Sequence, residues 1–331
     1  MNIIVKTPNF IGDTIMMLPA LELLKLEYPD ASFTIVCKAS SKDLFRNKGI
    51  DSIIIDDTKS AKRGRISRIR DLISSIKEKE YDLGILFHNT FLDALIFKLS
   101  HIRTIVGYDN ESRKILLDFH LKIDRSRHYI NHYANLVNQY LLNKYKHLPA
   151  MKLHSEPSKT IEKQSTRPTV GFVLGGANKD TRFYPKDLSL ELFKLLKTEE
   201  LNIVLLGDKD DSEHNIVYET YLSEQQVGCQ NLSGQTNVSE FIDCIAEVDL
   251  LVTIDTSALH IAAAVETNFI LLQGKGTSAF SLVQPKVSFG EYIFEGEELI
   301  QDKDIIAAIK PTVIKDTIMK TLKSSGPKAE R

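Results

Sequence analysis

The order of strand-like and helix-like segments along these 331 residues constrains the fold more than any other feature of the sequence. Short runs rich in β-branched residues alternate with stretches of helical periodicity in the first half of the chain. The runs are IIV, FTIVC, SIII, DLGILF and TIVGY, and the helical stretches are 15–26, 66–79 and 129–142. Strands that alternate with helices pair in parallel, because each helix carries the chain back across the sheet before the next strand starts. The pattern therefore predicts a parallel sheet covered by helices.

The alternation stops once and then starts again. Residues 154–169, HSEPSKTIEKQSTRPT, contain two prolines and no apolar periodicity, which is typical of a linker. Beyond it the runs VGFVL, NIVLLG, LLVTI and FILLQG alternate with helical stretches at 188–196, 213–222, 238–246 and 257–265. We expect two α/β domains, residues 1–153 and 169–331, joined by a linker at 154–168, with ligands bound in a cleft at the carboxyl edges of the sheets. The amphipathic pattern at 304–322 predicts a last helix that lies back across the domains.

Composition excludes several classes of protein. The chain is 43% hydrophobic and 26% charged, no segment approaches the ~18 consecutive apolar residues of a membrane span, and MNIIVK does not resemble a signal peptide, so we expect a cytoplasmic protein. Its three cysteines form no CxxC pair, which argues against a disulfide framework and a zinc site. The first 150 residues contain 23 Lys and Arg against 17 Asp and Glu, whereas the rest contain 19 against 27. This asymmetry indicates an anionic partner for the first half, or else ordinary variation in surface composition.

The first candidate site lies where the first strand meets the first helix. FIGDT places Gly12 where the chain turns tightly or approaches a ligand, and Asp13 where a helix begins near Thr14. An aspartate there either caps the helix or has a role at the ligand that Gly12 lets approach. The residue types alone favour the cap, which is the commoner use of aspartate at this position.

Two predicted strand-to-helix junctions in the second half of the chain have residues suited to binding an anion. LGGANKDTRFYP combines two glycines with Arg182, whose fixed charge and bidentate geometry suit a diphosphate; a flexible loop with a solvated arginine is the alternative. TIDTSALH places Asp255, Thr256 and Ser257 at the start of a helix, the usual seat of a phosphate. His260 lies one turn further along. An ordinary helix cap with a hydrogen-bonded histidine is the alternative here.

Together these three segments resemble glycosyltransferase family 9, the lipopolysaccharide heptosyltransferases. TPNFIGDTIMMLPALELLKLEYP is similar to that family's opening strand, Gly-Asp turn and first helix, and LGGANKDTRFYPKD resembles its loop of a Gly-Ala pair, a basic residue, an aromatic and a proline. LSGQTNVSEFIDCIAEVDLLVTIDTSALHIAAAVETNFILLQG is similar to its longest signature. The resemblance extends from Asn2 to about Pro285, with the three motifs in family order. It implies two Rossmann-like domains facing across a cleft (the GT-B architecture), the first binding mainly the acceptor and the second mainly the nucleotide sugar.

The resemblance also implies roles for individual residues. Asp13 matches the aspartate taken to be the base that deprotonates the acceptor hydroxyl, which then attacks the anomeric carbon with inversion, so the catalytic interpretation replaces the cap. Arg182 matches the family's usual lysine and, with the helix start at Asp255, would stabilise the leaving nucleoside diphosphate without a metal. The nucleotide-sugar site implied by these motifs comprises Gly12, Gly175, Gly176, Asn178, Arg182, Glu213, Asp255, Thr256, Ser257 and His260.

Departures from the family pattern concern the donor side. They are Arg182 in place of lysine, Ser257 in place of glycine and Tyr184 in place of tryptophan. In addition, GDKDDSE contains Asp208-x-Asp210, the pattern that holds a divalent ion in the other large glycosyltransferase architecture. Such a pattern often arises by chance, and that architecture leaves the first α/β unit unexplained. We therefore expect no metal and, by the resemblance, place Glu213 near the ribose of the donor.

Contacts to the acceptor are harder to assign. Residues 59–70, KSAKRGRISRIR, contain six basic residues and no acid, and they suit an anionic lipid or a phosphorylated sugar unless they form a solvated surface loop. GYDNESR resembles a family segment on the acceptor side. The candidate acceptor-binding residues are Arg63, Arg65, Arg68, Glu111 and Arg113. His128 and His132 lie one turn apart, but no third metal ligand accompanies them, so we expect core or surface histidines.

These inferences predict an inverting, metal-independent glycosyltransferase. Its leading donor is ADP-heptose, and its acceptor is a lipid-linked or phosphorylated saccharide of the lipopolysaccharide core or a related surface glycan, met at the cytoplasmic face of the inner membrane. Three alternatives stay open: another nucleotide sugar within the family, a nucleotide-sugar epimerase of the same two-domain shape, and a non-catalytic nucleotide-binding module. No bound cofactor and no nucleic-acid partner are expected. A nicotinamide dehydrogenase is disfavoured, because no strand is followed by GxGxxG.

Overall fold

The chain forms two compact units in the computed structural model. The first contains Met1–His154 with Ser281–Val283, and the second contains Ser155–Phe280 with Gln284–Arg331. The structure describes residues 1–59, 64–162, 167–175, 182–275, 278–295 and 302–325. Among these residues, no helix is both long and apolar enough to cross a lipid bilayer.

The first unit is built on a six-stranded sheet. Its strands are β1 (Asn2–Lys6), β2 (Ser32–Cys37), β3 (Ser52–Ile55), β4 (Leu83–Leu86), β5 (Thr104–Asp109) and β6 (Phe119–Lys122). Its helices are α1 (Ile11–Met16), α2 (Leu18–Glu27), α3 (Arg65–Lys77), α4 (Phe91–Leu99) and α5 (Tyr129–Tyr140). The strands lie in the order β3-β2-β1-β4-β5-β6, and every neighbouring pair is parallel. β1 therefore lies at the centre, where Ile3 pairs with Phe33 of β2 and with Leu83 of β4.

A second six-stranded parallel sheet follows the linker. Its strands are β7 (Thr169–Val173), β8 (Asn202–Leu205), β9 (Cys229–Asn231), β10 (Leu250–Ile254), β11 (Phe269–Leu272) and β12 (Gly290–Ile293). The helices after Ser155 are α6 (Lys186–Leu196), α7 (Ser212–Glu224), α8 (Val238–Glu247), α9 (Ser257–Ala264), α10 (Phe280–Val283), α11 (Asp302–Ala307) and α12 (Pro311–Ser325). The order β12-β11-β10-β7-β8-β9 repeats that of the first sheet when each sheet is counted from its own first strand.

This strand order creates one switch point in each sheet. The chain runs outward from β1 through β2 to β3, and then returns to the centre to run outward on the other side from β4. The connections that leave β1 and β4 therefore diverge at the carboxyl ends of these strands, and those that leave β7 and β10 do the same in the second sheet. Ligands of doubly wound sheets bind at such points, because the diverging loops leave a crevice there. Each sheet thus has one switch point at which a ligand is expected to bind.

Apolar side chains of the sheets and the surrounding helices form the two cores. Every residue of β4, β7, β8, β10 and β11 is buried, as expected for parallel strands covered on both faces. In the second unit α12 packs against α6 and buries Ile314 and Ile318 in the same cluster as Leu192 and Phe193. The last helix is therefore part of the second core.

The α/β class predicted from the sequence is confirmed, but some elements differ in detail. The short strands β6, β9 and β12 are not predicted, because FHLK, CQN and GEYI are brief and partly polar. The first predicted helix is two helices that meet at Met17. The last is also two, since Pro311 lacks the N–H needed to continue α11 and instead begins α12. That this segment lies across both domains stays a prediction, as do the predicted domain boundaries.

The described part of the linker is attached to the second unit. The N–H of Glu156 donates to Oδ1 of Asp243 at 2.8 Å, and Oγ1 of Thr160 lies 3.0 Å from Sγ of Cys244. Asp243 and Cys244 both belong to α8. The described residues of the linker therefore have no regular secondary structure, and hydrogen bonds attach several of them to α8.

Candidate active site

The carboxyl end of β1 leads into the turn that carries Asp13. Helix α1 begins at Ile11, so Asp13 is its third residue and not its cap. The cap position belongs to Phe10, whose side chain makes no capping hydrogen bond. The helix thus begins earlier than the predicted start near Thr14, and Gly12 and Asp13 both lie in its first turn. A carboxylate in that turn is favoured by the positive end of the helix dipole.

Burial dominates the electrostatics of Asp13. It raises the pKa of the Asp13 carboxyl to about 6, because the charged form loses hydration, while the charge of His88 acts in the opposite direction. Asp13 is also close enough to Tyr133 for its charge to add to burial in raising the pKa of that phenol. A carboxyl with a pKa of about 6 is mostly ionised at neutral pH and is a stronger base than an ordinary aspartate. Asp13 therefore has the properties of a general base.

The loop between β4 and α4 brings a histidine to the same edge of the sheet. Nδ1 of His88 lies 2.5 Å from Oδ2 of Asp93, and Thr90 donates a hydrogen bond to the same oxygen. Thr90 also caps α4, since its Oγ1 accepts the N–H of Asp93. His88 and Asp93 are not among the site residues predicted from the sequence. The signal that could have pointed to them is TFLD, a threonine three residues before an acid directly after a strand, which is typical of a capped helix start.

Arg113, predicted to bind the acceptor, lies beneath this loop. Its guanidinium is fully buried and donates to the carbonyl oxygens of Tyr108 at 2.6 Å and His88 at 2.8 Å, and to Oδ1 of Asn89 at 2.8 Å. Burial lowers the pKa of Arg113 to about 10, which still leaves it charged at neutral pH. In this arrangement Arg113 positions the loop that carries His88, and it offers no exposed surface to an acceptor.

Glu111 lies two residues earlier, in a turn with left-handed backbone. The φ angles of Glu111 and Ser112 are 52° and 61°, a conformation that residues other than glycine adopt only at some cost in free energy. Oε2 of Glu111 accepts the N–H of Phe91 at 2.9 Å, at the start of α4. Glu111 is therefore held at the same edge of the sheet as His88. Its contact with the acceptor stays a prediction.

The basic segment 59–70 is described only in part, and Arg63 lies outside the described residues. Arg65 is exposed at the start of α3, whereas Arg68 is buried on the face that also carries Leu72 and Ile76. The spacing of four residues places these three buried side chains in one row along the helix. Arg65 can therefore meet a ligand at the surface, while Arg68 faces the core. Their binding to the acceptor stays a prediction.

His128 and His132 have structural roles in this unit. Nδ1 of His128 accepts the N–H of Ile130 and so caps α5. The ring of His132 stacks on Tyr108 with 4.0 Å between centroids, and burial lowers the pKa of its imidazole to about 4. Over the described ranges of the chain, no three or more His, Cys, Asp or Glu side chains are grouped so that they could hold a metal ion.

In the second unit, the loops that leave β7 and β10 meet at the switch point. Nη1 of Arg182, in the first loop, donates to the carbonyl oxygen of Asp255 at 2.8 Å. Helix α9 begins two residues later at Ser257, with Thr256 at the cap position. The guanidinium and the helix N-terminus therefore lie together, and both attract an anion. These are residues that the sequence predicts for the nucleotide-sugar site.

Two polar groups at the start of α9 are suited to a ligand. Oγ1 of Thr256 is buried and has no hydrogen-bond partner within the described part of the chain. Burial raises the pKa of the Asp255 carboxyl, and the charge of Arg182 lowers it in part. Ser257 is half-buried, and His260 is buried one turn further along the helix. A buried hydroxyl that lacks a partner is available to a ligand oxygen.

Gly175, which follows β7 at the start of the loop that carries Arg182, lies against a buried carboxylate. A Cβ on Gly175 would overlap with Oδ1 of Asp211 and would lie 2.8 Å from its Cγ. Asp211 is buried, and its other oxygen accepts the N–H of Asp208 at 2.9 Å. A side chain at position 175 would therefore require the buried Asp211 carboxylate to move. Gly176 and Asn178, also predicted for the donor site, lie outside the described residues.

Tyr184, two residues after Arg182, anchors the other end of this loop. Its ring is fully buried, and its hydroxyl donates to the carbonyl oxygen of Ile309 at 2.8 Å. Its N–H donates to the carbonyl oxygen of Leu174 at 3.1 Å, at the end of β7. Arg182 therefore extends from a fixed point. Tyr184 is a core residue, which explains why an aromatic belongs at this position.

The pattern Asp208-x-Asp210 has a structural use. Oδ1 of Asp208 accepts the N–H of Asp210 at 2.8 Å, and together with Asp211 it forms a capping box at the turn before α7. The Asp208 carboxylate therefore points toward the backbone N–H groups of its own turn. Glu213 is exposed in the first turn of α7, and its position near the ribose stays a prediction.

Similarity to known proteins covers most of the chain. A family model described as glycosyltransferase family 9 (heptosyltransferase) matches residues 69–281. Over 300 residues the chain is 28% identical to lipopolysaccharide heptosyltransferase 2 of Salmonella typhimurium, and the match covers 85% of each protein.

The fold is similar to those of two solved structures from E. coli. One is ADP-heptose LPS heptosyltransferase II, with a TM-score of 0.83 and 24% identity over 98% of this chain and 100% of that one. The other is heptosyltransferase WaaC with ADP-2-deoxy-2-fluoro heptose, with a TM-score of 0.75 and 15% identity over 97% and 99%. At these identities the likeness shows a common fold.

Proposed function

The chain belongs to glycosyltransferase family 9, and on that premise we propose that it transfers heptose from ADP-heptose to a saccharide acceptor of the lipopolysaccharide core. The donor and the acceptor class are supported by the relatives described above, one a lipopolysaccharide heptosyltransferase 2 and another bound to an ADP-heptose analogue. The proposed reaction inverts the anomeric carbon.

In the proposed reaction Asp13 is the general base. The acceptor O–H bond breaks and its proton passes to the Asp13 carboxylate, while the oxygen forms the new bond to the anomeric carbon. The bond from that carbon to the donor phosphate breaks, and its electron pair leaves with the nucleoside diphosphate. The raised pKa of Asp13 supports this role, because a base whose pKa lies near the working pH takes up a proton more readily than an ordinary aspartate.

The groups at the second switch point are suited to the leaving diphosphate. Its negative charge grows as the bond to the sugar breaks, and preorganised donors stabilise such charge without reorganising at the moment of reaction. Arg182 supplies a fixed positive charge, and α9 supplies N–H groups and the positive end of its dipole. We therefore propose that these groups take the place of a metal ion.

The proposed acceptor is lipid-linked, which would bring the enzyme to the cytoplasmic face of the inner membrane as a peripheral protein. Exposed Arg65 supports this, since a basic helix start attracts the phosphates of an anionic lipid or saccharide. Glu111, held at the same edge of the sheet as Asp13, is a further candidate for hydroxyl groups of the acceptor.

The observation that carries the proposal is the contact between Arg182 and the start of α9, because it brings together two groups that are far apart in sequence and suited to a diphosphate. The test is titration calorimetry with ADP, UDP, GDP and CMP, in EDTA. ADP is expected to bind most tightly, and at a hundred times its dissociation constant it should stabilise the protein by about 2.7 kcal/mol. A preference for UDP or GDP would remove ADP-heptose as the donor. Binding that requires added magnesium or manganese would instead indicate a metal site at Asp208 and Asp210.

The assignment of the base has its own test. Asp13→Asn preserves size and removes the proton acceptor, so kcat for heptosyl transfer should fall by a factor on the order of 10² to 10⁴ while ADP binding is unchanged. Asp71→Asn is the matched control, because Asp71 is an exposed aspartate in the first turns of α3. Near-normal transfer by folded Asp13→Asn would contradict the mechanism.

A further inference from the structure

Two exposed phenyl rings at the first switch point have no part in the function described so far. Phe10 is 71% exposed and Phe91 is 38% exposed. Within the described ranges of the chain, Phe294 is the only other exposed phenylalanine. A single apolar side chain on a protein surface is common, although contact with water is unfavourable for a phenyl ring. Two such rings at the place where a ligand is expected indicate a contact with that ligand.

The two rings leave the first sheet at matching positions. β1 and β4 are neighbouring parallel strands, and such neighbours lie about 4.8 Å apart. The N–H of Phe87 donates to the carbonyl oxygen of Lys6 at 3.0 Å, so these two residues mark the same level of the sheet. Phe10 follows Lys6 by four residues, and Phe91 follows Phe87 by four. The chain therefore carries both rings the same number of residues beyond one edge.

A side-chain contact joins the two loops. Nδ2 of Asn9 lies 2.6 Å from Nε2 of His88. Asn9 directly precedes Phe10, and His88 lies three residues before Phe91. Each ring is also at the start of a helix, since Phe10 is at the cap position of α1 and Phe91 is the first residue of α4. The rings therefore lie on two helix starts that are held together at the edge of the sheet.

A carboxylate accompanies each ring. Phe10 and Asp13 occupy the cap and the third position of α1, and side chains at these positions lie next to each other across the first turn. The N–H of Thr14 closes this turn by donating to the carbonyl oxygen of Phe10 at 2.9 Å. Beside the other ring, Oε2 of Glu111 accepts the N–H of Phe91 at 2.9 Å. Aromatic faces and carboxylate oxygens therefore occur together at this edge.

This combination suits an uncharged sugar ring. The C–H groups on one face of a pyranose carry partial positive charge and pack on the negative face of a phenyl ring. The hydroxyl groups of the sugar donate hydrogen bonds, which carboxylates accept. An acyl chain would take water from the carboxylates without offering them a hydrogen bond, and an anionic sugar would be repelled by them. The group that must come to Asp13 is the reacting sugar of the acceptor.

We propose that Phe10 and Phe91 form a stacking site for the acceptor sugar that carries the reacting hydroxyl, and that this sugar is uncharged. The proposal rests on the proposed function, because it takes Asp13 as the base. Stacking fixes the plane of the sugar ring, and a hydroxyl at the edge of that ring then meets the Asp13 carboxylate. The two rings thus contribute to the choice of acceptor, whereas the residues proposed for the diphosphate belong to the second unit.

The first test compares Phe10→Ala, Phe10→Leu and Phe10→Trp with the wild-type enzyme. Phe10→Ala should raise the acceptor KM by roughly five- to tenfold, as expected for the loss of an aromatic contact. Its kcat should change by less than about twofold, because stacking holds the sugar equally in the ground state and the transition state. Leucine keeps an apolar side chain but loses the flat face, so it should resemble alanine, and tryptophan should be near wild type. Phe91→Ala should act in the same direction as Phe10→Ala.

A matched control lies on the same helix as Phe91. Leu99 is the last residue of α4 and is 48% exposed, at the end of the helix away from Phe91. Leu99→Ala should leave the acceptor KM unchanged. ADP affinity, measured by calorimetry, should be unchanged in all of these variants.

A second readout does not depend on turnover. In protein that is protonated only at its phenylalanines, irradiation of the aromatic protons should transfer saturation to the ring C–H protons of a deacylated acceptor oligosaccharide, with no donor present. The signal should fall in Phe10→Leu and in Phe91→Leu and should vanish in the double variant. Because this oligosaccharide has no acyl chain, the signal reports contact with sugar.

A raised acceptor KM in Phe10→Ala, together with saturation that vanishes in the double variant, supports the proposal. An oligosaccharide that receives no saturation overturns it. A KM effect that disappears with the deacylated acceptor assigns the rings to an acyl chain, and altered sedimentation of Phe10→Ala assigns them to a second copy of the protein; either result also overturns it. If the wild-type enzyme transfers no heptose, the proposed function is wrong, and saturation transfer still decides whether the rings stack on sugar.

Discussion

Nη1 of Arg182 donates to the carbonyl oxygen of Asp255 at 2.8 Å and so ties the loop after β7 to the start of α9. The acceptor of this bond is a main-chain carbonyl, so the bond orients the guanidinium, whose charge also acts on the Asp255 carboxyl. The positive charge is thus in place before any donor binds, which is the condition for stabilising charge that develops during a reaction.

Replacing Arg182 by glutamine should weaken ADP binding by roughly ten- to a hundredfold, as expected for the loss of a charged hydrogen-bond donor. Arg182→Lys should be intermediate, because it keeps the charge and loses the planar fork. Calorimetry measures both. The control is Arg167→Gln, which removes an exposed arginine 3.9 Å from Glu200 in the same unit. Equal affinities in all variants would remove Arg182 from the donor site.

Gly175→Ala should destabilise the second unit by roughly 1–3 kcal/mol and impair ADP binding, because the new methyl group overlaps with the Asp211 carboxylate. Denaturant unfolding and calorimetry report the two effects. Gly64→Ala is the control, since no atom of the described residues lies within 4 Å of the added Cβ. Adding Asp211→Ala to Gly175→Ala should recover part of the stability. A stable Gly175→Ala that binds ADP normally would contradict the steric explanation.

Asp13→Asn should stabilise the protein at pH 8 and leave it unchanged at pH 4. Burial raises the folded-state pKa of Asp13 to about 6, above the unfolded value, so the folded state binds the proton more tightly and stability falls as pH rises through this window. Asparagine does not titrate, and its gain at pH 8 should be on the order of 1–2 kcal/mol, after allowance for partial exposure. Thermal midpoints at both pH values, with Asp71→Asn as control, measure it. A pH-independent difference would argue against a raised Asp13 pKa.

Two classes of arginine in α3 should respond differently. Neutralising exposed Arg65 and Arg70 should raise the acceptor KM, by roughly fivefold for each charge if the partner is an anionic lipid surface, and should weaken its salt dependence. Arg68→Gln should instead lower the thermal midpoint, because Arg68 is buried in line with Leu72 and Ile76. Steady-state kinetics at two salt concentrations distinguish the classes. Unchanged acceptor kinetics for the exposed pair would make this segment an ordinary solvated surface.

The fold and the helix start after β10 are predictable from the sequence because their signals are local. The alternation of strands and helices predicts the parallel sheets. The residue types from Asp255 to Ser257 predict a helix start directly after a strand. Arg68 is predicted from its charge to contact the acceptor, whereas the apolar residues at 72 and 76, which continue its row on the helix, indicate the buried position that the structure shows.

The surroundings of Asp13 are not readable in this way. Most partners of Arg113 are main-chain carbonyls up to 25 residues away, and because every residue has a carbonyl, the sequence does not indicate which ones it binds. The relation of His88 to Asp13 likewise depends on β1 and β4 being neighbours, although more than 70 residues separate them along the chain. Local pattern shows where each strand ends but not which strand ends lie side by side.

The bond from Tyr184 to the carbonyl of Ile309 affects the order in which the protein matures during translation. The loop that carries Arg182 leaves the ribosome well before the segment that anchors it, because Ile309 is made 125 residues after Tyr184. Residues 1–154 of the first unit can fold while the second is still being made, so a nascent chain would hold Asp13 in its folded turn long before the loop of Arg182 is anchored. The proposed binding of a nucleotide sugar should therefore be among the last properties that the new chain acquires, and we expect chains cut short before Ile309 to lack it.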